Sequence, residues 1–130
     1  MPDEPTIYRE ELVQTIDVPP ADDLVQGVTV ASEIRISTAG EYKRGELMMS
    51  SGDNEFTSAT KAGLASASEI CILCHDCEIP EGKDYFTAAY FTGTFNADRI
   101  ILSYETEAND HAALIDEVKT YIRRRAIFLN

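Results

Sequence analysis

Four of the chain's five prolines, Pro2, Pro5, Pro19 and Pro20, stand in its first 20 residues. Each fixes φ and withdraws a backbone donor, so neither a long helix nor a central strand runs through that stretch. The acids crowd the same place. Asp3, Glu4, Glu10, Glu11, Asp17, Asp22 and Asp23 fall within the first 27 residues, opposed only by Arg9. Two short apolar pieces, Ile7-Tyr8 and Leu12-Val13 with Ile16, keep the segment from reading as pure linker. Residues 1–27 therefore read as an acidic, proline-rich N-terminal arm. It is either a frayed terminus or a segment that orders when it docks on a partner, as an added strand.

From Val28 the pattern turns to period two. Val28, Val30, Ile34 and Ile36 share one strand face, with Thr29, Glu33 and Arg35 on the other. Thr38-Ala39-Gly40 closes this strand, and Gly45 opens the next apolar piece, Leu47-Met48-Met49. Ser51-Gly52-Asp53-Asn54 is turn chemistry. Residues 57–67, rich in Ala, Ser and Thr, carry no assignable period. Ser68 to Ile79 reads as one strand ended by Pro80-Glu81-Gly82, and Tyr85 to Thr92 as another, broken by Gly93. Arg99 to Tyr104 is again extended in character.

Leu114, Ile115, Val118 and Ile122 recur at helical spacing behind a cap at Asn109 or Asp110, and Arg123-Arg124-Arg125 complements the helix dipole. Ala126 to Leu129 reads as a last short strand. The expected fold is α+β and mostly β: a domain over 28–130 with one C-terminal helix, carrying the extended arm 1–27.

Charge narrows the partners. Eleven Lys and Arg face 23 Asp and Glu, a formal net charge of −12. That balance argues against a nucleic-acid partner and against an anionic membrane surface. No apolar run reaches the ~20 residues of a membrane span, and the opening MPDEPTIYREE is unlike a signal peptide. Three cysteines make no disulfide framework, so a reducing cytoplasm is the expected place of synthesis.

Cys71-Ile72-Leu73-Cys74-His75-Asp76-Cys77 has the spacing of a haem-attachment or metal knuckle. Four ligands from Cys71, Cys74, His75 and Cys77 would need a tight turn, yet Glu69 to Glu78 holds neither Gly nor Pro. On one strand Cys74 would point away from the other three. Buried strand cysteines are the simpler reading, with a small metal-binding or redox protein as the alternative. His111 beside Asp110 serves helix capping, and no nucleophile elbow, P-loop or dinucleotide motif is present. No catalytic constellation is legible, and no metal, cofactor or enzymatic activity is expected.

Tyr85 to Phe91 is apolar on both faces, which requires burial under the helix or against another subunit. Tyr85, Tyr90, Phe91 and Phe95 are the candidates for a subunit interface.

Four segments, Gly40-Glu41-Tyr42-Lys43-Arg44-Gly45-Glu46-Leu47, Ile72 to Ile79, Thr92-Gly93-Thr94-Phe95-Asn96 and Arg125 to Leu129, stand in an order and spacing that matter together. Over about residues 26–129 the chain resembles the head decoration proteins of tailed double-stranded DNA phages, the lambda protein D-like family. The resemblance implies a compact β-tulip fold and homotrimers on the local three-fold axes of the head. It implies a structural virion protein on the outer capsid surface, made in the host cytoplasm, whose partner is the major capsid protein. It also implies an arm, disordered in solution, that pairs with capsid subunits, here through Thr6, Ile7, Tyr8, Leu12, Val13 and Ile16. Two features depart from the family pattern: the three cysteines are no family hallmark, and the arm is long and acidic. An acidic module that mimics nucleic acid is a further alternative, distinguished by steep salt dependence on a basic partner.

Overall fold

The computed structural model describes residues 22–50, 52–106 and 110–130. Most of the arm, including Thr6, Ile7, Tyr8, Leu12, Val13 and Ile16, and the candidate cap Asn109 lie outside the described residues.

Five strands close on themselves. β1 (Val30–Ile36) pairs in parallel with β4 (Glu55–Ser58), which pairs antiparallel with β3 (Leu47–Ser50). β3 pairs with β5 (Glu69–Leu73), β5 with β7 (Tyr85–Phe95), and β7 returns antiparallel to β1. The ring is a small barrel, and alternation decides what fills it. Ile34, Ile36, Met48, Phe56, Leu73 and Ala89 form its buried interior, while Glu33 and Arg35 of the same β1 face out. The Phe56 ring meets Phe91 edge-on, with centroids 5.7 Å apart. A separate ribbon of β2 (Gly40–Tyr42) and β6 (Cys77–Ile79) adds Tyr42 and Ile79 to the same cluster.

The second core lies on the outside of the barrel. Helix α2 (His111–Ile122) lays Leu114, Ile115, Val118 and Ile122 over Leu47, Ile70, Ile72 and Tyr90. Each such buried side chain contributes roughly 1.5–3 kcal/mol. Asp110 starts the helix by accepting the Ala112 amide at 3.1 Å. Beyond the helix, Arg123–Arg125 make a 3₁₀ turn, Ala126 takes a left-handed conformation (φ 62°), and β8 (Ile127–Leu129) runs parallel to the end of β7. The period-three-to-four pattern, the cap and the closing strand all stand as the sequence implies.

Three elements differ from the sequence reading. Residues 68–79 are not one strand: β5 stops at Leu73, residues 74–76 turn a corner, and β6 belongs to the ribbon. Gly93 does not break β7, which continues to Phe95. Its φ of +146° lets the strand pass where a Cβ would lie 2.7 Å from Thr29 Cγ2. Arg99 to Tyr104 is no strand, because Ala97–Arg99 wind into a 3₁₀ turn and only Ile101 makes a bridge, to Glu46. The unassigned stretch holds the end of β4 and a one-turn helix α1 (Lys61–Leu64), capped by Thr60.

The packed body also begins earlier than residue 28. Leu24 is buried, Val25 bridges Phe95, and the Gln26 amide donates to the Thr94 carbonyl at 2.9 Å. By contrast Val28 and Val30, which share the apolar face of Ile34 and Ile36 in the sequence pattern, are 92% and 58% exposed. The pairing of β1 with β7 slips between Val30 and Ala31, opposite Thr92 and Tyr90, and this irregularity lifts Val30 off the barrel core.

Candidate interaction surface

The four interface candidates separate. Tyr90 and Phe95 are fully buried, packed on each other with ring centroids 5.4 Å apart. They belong to the chain's own core, so they are withdrawn as subunit contacts. Phe91 is half-buried against Phe56, and Tyr85 remains 40% exposed at the start of β7 beside Phe86 at 59%.

A second exposed set surrounds the far end of β7. Val30 stands opposite Thr92 on one side, and Phe128 opposite Thr94 on the other. Thr92 and Thr94 share the face turned away from α2, since the intervening Gly93 pairs with the buried Ile127. Val30 and Phe128 (48% exposed) therefore rim one patch, with the exposed Val28 two residues before Val30. Sequence reasoning missed it because alternation alone assigns Val28 and Val30 to the core.

Arg44 anchors that chain to the body. Its Nε donates to Asp22 Oδ2 at 2.7 Å, and its Nη1 donates to the Cys74 carbonyl at 2.8 Å and to the Tyr90 hydroxyl at 2.9 Å. The Arg44 amide donates to Asp76 Oδ1 at 2.7 Å, holding the corner that splits residues 68–79. Burial raises the Asp22 pKa, but the Arg44 and Leu24 hydrogen bonds outweigh it and leave it below the ordinary carboxylate value. The next residue, Gly45, has φ +94°, and a Cβ there would lie 2.6 Å from the Arg99 carbonyl. Glu46, buried, accepts the Ser58 hydroxyl and the Lys43 amide.

The cysteine segment is divided by the same corner. Cys71 faces the barrel interior, Cys74 lies in the outer core, and Cys77 sits half-buried against the interior cluster from β6. The single-strand geometry that would align Cys71, His75 and Cys77 does not occur. Burial pushes the Cys71 thiol well up; it pushes Cys74 up to about 12, against the pull of Arg44. Cys77 is pushed up to about 11 by burial and by Glu46 and Asp76. Thiols held this far from ionisation are poor nucleophiles and poor ligands. Among the described residues no group of three His, Cys, Asp or Glu side chains is placed to hold a metal. His75, lowered in pKa by burial and then by Arg44, has a buried Nε2 without a hydrogen-bond partner among the described residues.

His111 does more than sit at a helix start. Its Nδ1 lies 2.6 Å from Glu105 Oε1 and its Nε2 2.9 Å from the Ala97 carbonyl. Both neighbours are acceptors, so both bonds form only when both ring nitrogens carry protons. The Ala97 carbonyl and the Glu105 carboxylate accordingly raise its pKa. A cleft of about 340 Å³ opens beside β3, β4 and α1, lined by Thr38, Met49, Glu55, Phe56 and Gly63. Two carboxylates line it, Asp53 and Glu55, and Glu55 is already held by Arg35 and the Ser37 hydroxyl.

The four segments that carry the family resemblance meet in pairs. Gly40, Glu41 and Tyr42 pair with Ile79, Glu78 and Cys77, and Arg44 binds at Cys74 and Asp76. Gly93, Thr94 and Phe95 pair with Ile127, Phe128 and Leu129. They are structural joints, not chemistry. No protein-family model and no curated protein matches the chain.

Proposed function

We propose that this chain is a non-enzymatic structural protein of a tailed-phage head, binding the outside of the expanded capsid at its three-fold sites as a homotrimer. The observation that carries this reading is the two-by-two pairing of the four resembling segments. Segments scattered over some 90 residues form two joints of one small, mostly β body with a single C-terminal helix. A chance likeness of short motifs has no reason to assemble in that way. The patch of Val28, Val30 and Phe128, beside the root of the arm, supplies an apolar surface for a protein partner.

The mechanism is cementing. A trimer that bridges several capsid subunits gains from multivalency without strong single contacts. Binding the expanded lattice and not its precursor stabilises the expanded form by linkage. The arm, through Thr6, Ile7, Tyr8, Leu12, Val13 and Ile16, supplies capsid contacts, and net negative charge is no handicap on a surface away from the packaged genome.

Mixing the purified protein with undecorated expanded heads and imaging them tests the reading. Density at the three-fold positions is expected; bare positions at saturating protein would sink it. Deleting residues 1–20 should lower occupancy while leaving the fold intact, because the deletion keeps the Arg44 contact with Asp22 and the buried Leu24.

A further inference from the structure

Among the described residues, the C-terminal strand carries an edge with no neighbour. β8 ends the six-stranded sheet, and among the described residues only β7 pairs with it. The Ala126 carbonyl accepts the Gly93 amide at 3.0 Å, and the Asn130 amide donates to the Phe95 carbonyl at 2.9 Å. Main-chain groups alternate along a strand, so Phe128 also turns its backbone to β7, while Ile127 and Leu129 turn theirs outward. An open row of donors and acceptors is a template for another strand. Next to it lies Phe128, and across Thr92 lies Val30, two residues after the exposed Val28. Strand spacing and rise place Val30 and Phe128 about 12 Å apart.

Charge marks the same end of the molecule. Arg123 and Arg124, in the turn leading into β8, are exposed and without a partner among the described residues, in a chain of net charge −12. Arg125, in contrast, is bound to the Ala67 and Ser68 carbonyls at 2.9 Å.

We infer that β8, with the Val28–Val30–Phe128 patch and Arg123–Arg124, is the body's own contact with the head. There an extended, acidic segment of the capsid subunit adds to β8 as a further strand. The inference rests on the capsid reading above and names the surface and chemistry of that contact. Continuity with the arm favours this occupant. Gln26 and Phe128 flank Thr94 on opposite sides, so the arm root lies two strand spacings, about 10 Å, from β8. Ile16 is ten residues before Gln26, a reach of about 35 Å at most. A surface gripped by residues 6–16 is thereby kept within about 45 Å of β8, which raises its effective concentration there. A second copy suits the site less well, since it brings another −12 of net charge towards this one.

The test uses the full chain, undecorated expanded heads and two surface variants, Phe128→Asp and the double variant Arg123→Glu/Arg124→Glu. Each should lower apparent affinity for heads roughly tenfold, with oligomeric state and melting temperature unchanged. Raising salt should weaken wild-type attachment more than that of the double arginine variant. If Phe128→Asp fails to fold, the arginine variant still decides, since both its positions are exposed. Wild-type attachment with unimpaired variants overturns this inference alone, and absence of wild-type attachment overturns the capsid reading with it. Variants that dissociate the oligomer would assign the edge to contacts between copies and overturn it too.

Discussion

Arg44 shows how a residue can be visible in a sequence while its work is not. The Gly-Glu-Tyr-Lys-Arg-Gly string is legible, but Asp22, Cys74, Asp76 and Tyr90 come to Arg44 from 22 to 46 residues away. No local pattern encodes that meeting. Arg44→Ala should cost about 2–3 kcal/mol, since it strips partners from the Cys74 carbonyl and the Tyr90 hydroxyl in a mostly buried site. Asp22→Asn should cost less than about 1 kcal/mol, its side chain being 42% exposed and screened. Urea unfolding of both variants checks the order; equal losses would mean the ion pair and not the buried hydrogen bonds dominates. His111 gives a pH signature of definite sign. Its folded pKa lies above the ordinary 6.5, so its contribution is complete below about 6.5 and fades as pH rises through the folded value. Wild-type protein should lose more melting temperature between pH 6 and 8 than His111→Gln, and identical slopes would exclude the bonds to Glu105 and Ala97 as the source. For the thiols, a disulfide reagent at pH 8 should modify none within minutes in native protein and all three in denaturant. Rapid native labelling of Cys71 or Cys74 would revive the redox reading.

At the scale of elements, what the sequence makes legible follows from how local each cause is. Helix α2 is readable because its period, its cap and its terminal arginines all lie within seventeen residues. Asp110→Ala should therefore cost about 1 kcal/mol and Ile122→Ala about 3 kcal/mol. Thermal unfolding of the two variants measures this, and a smaller loss for Ile122 would contradict its complete burial. The corner at residues 74–76 is unreadable for the opposite reason. Without Gly or Pro it is held from outside, by the Arg44 amide on Asp76 and its guanidinium on Cys74. Continuous apolar character from Ile70 to Leu73 extends the strand on paper across a bend that only tertiary contacts create. The run of β7 through Gly93 is a similar case: glycine usually interrupts a strand, but here it makes room for Thr29. The exposed edge around Val28, Val30 and Phe128 was hidden by the same reliance on alternation, which cannot see a register slip.

For the whole molecule, the acidic, proline-rich character of the first residues is legible in the sequence, and where packing takes in the chain is not. Composition puts the change near residue 27, whereas packing already takes in Leu24 and Val25 of the outer core and Asp22, which Arg44 holds. Half of the net negative charge still lies in the first 27 residues, seven acids against Arg9. Raising sodium chloride from about 20 to 200 mM should lift the melting temperature by a few degrees by screening this repulsion. The rise should be smaller once residues 1–20 are deleted, and an unchanged salt response would show that the body alone carries the effect.

The grip of Arg44 on Asp22 has a mechanical consequence. A load applied to the chain at Asp22 meets the Arg44 guanidinium before it reaches the Gln26–Thr94 bond or the Val25–Phe95 bridge. The guanidinium passes that tension at once to the corner carbonyl of Cys74 and to Tyr90 in the middle of β7. Such a load thus strains the barrel wall and the outer core together, so the anchor resists as one body instead of peeling away residue by residue.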